Sequence, residues 1–85
     1  MLFRSFGLYP NPSTGSATIQ FKLNSAKRVQ IFVHDITGRM VAQLMDETLS
    51  ADMHEVPVKL DTKGIYLIDV IAGEKHHVRR LTIAN

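Results

Sequence analysis

The chain has 85 residues, enough for one domain that buries roughly 60% of the surface its unfolded form exposes, and too few for a core plus a deep catalytic cleft. Its 45% hydrophobic and 21% charged residues are those of an ordinary folded domain, and no run approaches the roughly 20 apolar residues of a membrane-spanning helix. A net charge of +2, with ten basic residues offset by eight acidic ones, argues against nucleic acid as a partner, and the absence of cysteine removes disulfides, thiolate metal sites and cysteine nucleophiles together.

The opening MLFRSF lacks the apolar core and cleavage site of a signal peptide, so more chain is expected upstream. Residues 1–8 read as the remnant of a linker and residues 9–85 as the domain. In LYPNPSTG, Pro10 and Pro12 fix φ and remove two backbone donors, which excludes a helix. Asn11, Ser13 and Thr14 offer side chains that close turns, and Gly15 accepts a positive φ.

From Ala17 the hydrophobic period is two. ATIQFKL puts Ala17, Ile19, Phe21 and Leu23 on one face, which is a half-buried strand. VQIFVHDI repeats the pattern with Val29, Ile31 and Val33 inward, and carries Phe32 and Ile36 on the reverse face, so that this strand is expected to be partly covered on both sides. The stretch MVAQLMDETLSADM holds good helix formers, with Val41, Leu44 and Met45 at helical spacing. A tight hairpin at DITGRMV argues instead for a strand over residues 40–45, with a loop over residues 46–52.

HEVPVKL presents Val56, Val58 and Leu60 on one face, and Pro57 in its middle demotes it to an edge strand. IYLIDVI offers Tyr66, Ile68 and Val70 to the core and turns Asp69 outward; VRRLTIA closes the chain with Val78, Leu81 and Ile83 as its buried set. Val78 and Leu81 have opposite parity, which predicts a bulge near Arg79 or Arg80. Turn signals separate the runs at short intervals, so the fold class is all-β: an immunoglobulin-like antiparallel sandwich of about seven short strands.

Catalytic and metal-binding patterns are missing. His76 and His77 leave opposite faces of a strand and cannot converge on one metal; His34 and Asp35 are adjacent and diverge in the same way. No cofactor, metal or enzymatic activity is expected. The densest charge feature is KHHVRR, residues 75–80, which is either the solvated face of an exposed strand or a docking surface for an acidic partner or anionic lipid.

YPNPSTG at the start, IFVHDITGRMV in the centre, DTKGIYLIDV late and a final basic-apolar strand, in this order and spacing, resemble the C-terminal sorting domain of type IX secretion cargo proteins of Bacteroidota (the Por secretion system tail). The resemblance spans residues 8–85. Its first motif falls on Tyr9, Pro10, Asn11, Pro12 and Gly15, its hairpin motif on Asp35, Gly38 and Arg39, its late motif on Gly64 and Tyr66, and its last strand on residues 79–83. Members often finish with a lysine beside apolar residues, whereas this chain ends LTIAN.

The resemblance implies an address domain. Cargo in the periplasm would be directed through an outer-membrane translocon to the cell surface or the exterior, with a shuttle protein and a sortase as further partners and removal of the domain in many members. Arg39, Lys75, Arg79 and Arg80 are the candidate recognition contacts, because exposed basic side chains offer donors to carboxylates and head groups. Two other classes remain open from sequence: a polysaccharide-binding sandwich, with Phe3, Phe6 and Tyr9 as a platform, and a self-association module that makes the isolated domain a homodimer.

Overall fold

In a computed structural model, residues 6–84 are described, and they form seven strands. These are β1 (Gly7–Tyr9), β2 (Ser16–Lys22), β3 (Lys27–Asp35), β4 (Met40–Leu49), β5 (Met53–Lys59), β6 (Gly64–Ala72) and β7 (Lys75–Ile83). They build an antiparallel sandwich, with a three-stranded sheet in the order β1-β2-β5 facing a four-stranded sheet in the order β4-β3-β6-β7.

Alternation along the strands decides which side chains meet between the sheets. Ala17, Ile19, Phe21 and Leu23 on the β2 side, Val29, Ile31 and Val33 from β3, Val56 and Val58 from β5, and Tyr66, Ile68 and Val70 from β6 are all buried, as their parity predicts. β5 lies at an edge, where Pro57 is tolerated. DITGRMV is a hairpin, but β4 continues to Leu49 instead of giving way to a loop at Asp46. Its good helix formers are overridden because Ala42, Leu44, Met45 and Leu49 pack on the core edge from a strand paired along β3.

Three further sequence expectations are corrected. Val78 is 50% exposed, and β6 pairs with β7 in unbroken register from Gly64↔Ile83 to Ala72↔Lys75, so there is no bulge at Arg79 or Arg80. With Leu81 and Ile83 inward, strict alternation turns Val78 to the outer face and brings His77 and Arg79 to the inner side, where β1 is too short to cover them fully. Ile36 is 66% exposed at the hairpin tip, beyond the cover of either sheet, although Phe32 behind it is half-buried. Finally, Phe6 and Leu8 are buried in the core, and β1 pairs with β2 from Gly7, so the folded unit takes in residues that composition had assigned to a linker. The rest of that stretch, residues 1–5, lies outside the described residues.

Candidate functional site

The strand register brings the separated sequence motifs to one end of the sandwich. Asp35 pairs with Tyr66, Tyr66 with Leu81, Gly64 with Ile83, and Ser13 bridges to Ile83 in parallel fashion. Segments far apart in the chain therefore stand side by side where β1, β3, β5 and β7 end and β2, β4 and β6 begin.

The lead-in segment is held there by its own polar groups. The Asn11 side chain imitates a strand residue: its amide Nδ2 donates to the Arg80 carbonyl at 2.7 Å, and its Oδ1 accepts the Thr82 N–H at 3.1 Å. Two residues later the backbone takes over, with Ser13 N–H donating to Thr82 O at 2.9 Å and Ala84 N–H to Ser13 O at 2.7 Å. Ser13 is only 3% exposed; its hydroxyl donates to the Ser16 carbonyl and accepts the Gly15 N–H at 3.1 Å. Gly15 has φ 141°, its carbonyl accepts Leu60 N–H at 2.8 Å, and a Cβ there would lie 3.3 Å from the Leu60 oxygen. Pro10 and Pro12 are exposed between these anchors. Tyr9 is 44% exposed and donates to Glu55 Oε2 at 3.0 Å; this bond, with burial and the carboxylate charge adding, pushes its phenol above the usual range.

The hairpin motif is organised by one carboxylate. Asp35 Oδ1 accepts the Thr37 hydroxyl at 2.6 Å and the N–H groups of Thr37 and Arg39 at 3.0 Å each, while Oδ2 accepts Arg39 Nε at 3.2 Å. The Thr37 hydroxyl, ahead of the Arg39 and Thr37 amides and the Arg39 charge, holds the Asp35 carboxyl below the ordinary range against an opposing effect of desolvation. Gly38 closes the turn at φ 92°. Arg39 remains 82% exposed despite its carboxylate.

In the late motif Tyr66 is buried, and its hydroxyl donates to Thr62 O at 2.6 Å, pinning the turn that leads into β6 at Gly64. A tyrosine near a strand start bonding back to the preceding turn is a recurrent clasp of immunoglobulin-like sandwiches.

The basic strand divides by role. Arg79 Nη1 donates to the Phe6 carbonyl at 2.8 Å, tying β7 across to the other sheet. Arg80 is exposed, and its side chain has no hydrogen bond or ion pair among the described residues. Lys75 is exposed at the opposite end, paired with Ala72, away from the motifs. Of the candidate contacts, Arg39 and Arg80 thus sit at or beside the motif end, Arg79 bridges the sheets, and Lys75 stands apart.

Two features went unnoticed in the sequence. Ser13 was one turn-former among several, yet it is the buried polar pivot of the lead-in; its signal was its place between Pro12 and Gly15. On the outer face of the four-stranded sheet, Asp69 Oδ2 lies 2.7 Å from His34 Nδ1 and Oδ1 lies 2.9 Å from His76 Nε2. Both partners sit diagonally across neighbouring strands, a relation that no local spacing reveals. No group of three or more ligand-type residues among those described is arranged to hold a metal ion. Of the suggested aromatic platform, Phe6 is buried, Tyr9 is bound to Glu55, and Phe3 lies outside the described residues.

A family model for the secretion system C-terminal sorting domain matches residues 7–84. The chain belongs to that family. The match starts at β1 and ends just past β7, so the sorting domain and the sandwich are one and the same unit. No curated protein matches the chain. As a member of this family, the domain is a sorting signal of type IX secretion, which takes the protein carrying it through the periplasm to the cell surface or outside.

Proposed function

We propose that the domain is a sufficient address: joined behind a cargo in the periplasm, it directs that cargo through the outer-membrane translocon of the type IX machinery, after which a surface sortase removes it. The domain acts by being recognised, not by catalysis. The observation that carries this reading is the gathering of the three family motifs at one end of the sandwich, where the side chains of Asn11, Ser13 and Asp35 are spent on fixing shape. Beside these residues Arg80 and Arg39 stand exposed, which suits them to direct contact with carboxylates.

The test is export of a fluorescent reporter carrying a signal peptide and this chain at its C-terminus, in bacteria with and without a working type IX translocon. Translocon-dependent arrival at the surface is the expected result. Retention of a folded fusion in the periplasm of both strains would reject sufficiency.

A further inference from the structure

A two-layer sandwich has four sheet edges, and three of them are closed to an incoming strand. β1 is three residues long and is followed at once by Pro10. In β5, Leu60 N–H bonds to Gly15 O, so the even-numbered residues face β2 and the odd-numbered ones face outward; Pro57 is one of these and has no donor to give. β4 faces register shifts at Ile31/Phe32 and Val33/His34, irregularities that twist an edge away from further pairing, and it carries Asp46 and Glu47.

β7 is different. It has nine residues, unbroken register and no proline. Its even-numbered residues face outward, since Arg80 O, Thr82 N–H, Thr82 O and Ala84 N–H receive Asn11 and Ser13. The lead-in segment fills only that half. Toward the start of β7 the same alternation leaves the N–H and C=O of His76 and Val78, and the N–H of Arg80, without a partner among the described residues. A groove of about 500 Å³, lined by Asn11, Pro12, Val78, Arg79, Arg80 and Thr82, opens where the filled half meets the unfilled one.

We propose that the outward-facing main-chain groups of His76, Val78 and Arg80 on the β7 edge receive an extended acidic segment of a partner protein as an added strand. The proposal rests on the sorting reading for the partner's place in the export machinery. Main-chain bonds to His76, Val78 and Arg80 hold the segment, and charge selects it. Lys75 and Arg80 are exposed along this strand, and Arg79 stands over the groove, so a basic or neutral strand edge is repelled or unrewarded while carboxylates find donors. Asn11 shows the geometry in miniature, because its carboxamide already occupies this edge as a strand residue would.

The test uses the full chain, a synthetic peptide of about ten residues alternating glutamate with valine, and amide hydrogen exchange read by NMR. With the peptide at saturation, exchange at His76, Val78 and Arg80 slows at least about tenfold, while His77 and Arg79, whose amides face β6, are unchanged. A peptide with lysine in place of glutamate has no effect. Val78→Pro removes an outward donor without touching a bond to β6; it stays folded, judged by native shifts at Leu81 and Ile83, and loses the protection, whereas Val78→Thr keeps it. Absence of alternating protection in the wild type, protection centred on β4 or β5, or equal binding by a folded Val78→Pro variant overturns the proposal. So does binding to phosphatidylglycerol vesicles in place of the peptide, which would make the surface a lipid contact. Reporter export tests the sorting reading separately, because it proceeds or fails whatever the peptide does.

Discussion

Replacing Ser13 by alanine removes a hydroxyl that satisfies two backbone groups at once, the Ser16 carbonyl and the Gly15 N–H, at a site 3% exposed to solvent. Leaving a buried donor or acceptor unpaired costs about 1–3 kcal/mol, and because these two are partly buried the combined loss is about 2–4 kcal/mol. A domain of this size has about 4–13 kcal/mol of total stability, so one hydroxyl carries a large share of it. With a urea dependence of about 1 kcal/mol per molar, Ser13→Ala lowers the unfolding midpoint by about 2–4 M. Thr14→Ala, at the exposed neighbour, shifts it by less than about 0.5 M. The assay is urea unfolding followed by circular dichroism, with both variants beside the parent. Equal midpoints for the two variants would refute the claim that Ser13 is the pivot of the lead-in segment.

Gly38→Ala, with open space around its Cβ but φ 92°, costs only the left-handed conformation, about 1–2 kcal/mol; Gly15→Ala adds the 3.3 Å approach to the Leu60 oxygen and shows the larger loss in the same unfolding assay. Arg79→Ala forfeits its bond to the Phe6 carbonyl and lowers stability by about 1–2 kcal/mol, whereas Arg80→Ala stays within about 0.5 kcal/mol of the parent while impairing export; thermal unfolding and the reporter assay together separate the two. Asp35 has a folded pKa below its unfolded value, so its contribution is complete above the ordinary carboxylate range near 4 and is lost as pH falls through the lower folded value. The Thr37 and Arg39 amide resonances accordingly hold steady through neutral pH and shift together only below about pH 4 in an NMR titration.

What was legible in the sequence was whatever alternation alone decides. ATIQFKL and IYLIDVI place their inward sets correctly because every second residue is apolar and the strand runs deep in the sandwich. β7 misled because Val78 looks like a core residue, whereas the inner partners of its neighbours would have to come from β1, whose brevity local pattern does not show. The motif residues were legible as turn-formers, but their meeting at one end depends on register between β3, β6, β7 and the lead-in segment. That is tertiary information, as is the diagonal contact of Asp69 with His34 and His76.

The bridge between Ser13 and Ile83 sets a condition on when the domain is complete. Asn11 and Ser13 find their partners only in residues 80–84, and Leu81 and Ile83 supply the core beneath them. A polypeptide still emerging, or cut a few residues short, therefore has its lead-in segment loose and its last core layer missing. The folded motif end thus certifies that synthesis has passed through residues 80–84. A receptor reading that end selects molecules that carry residues 80–84 over those cut before them, with no separate step of inspection.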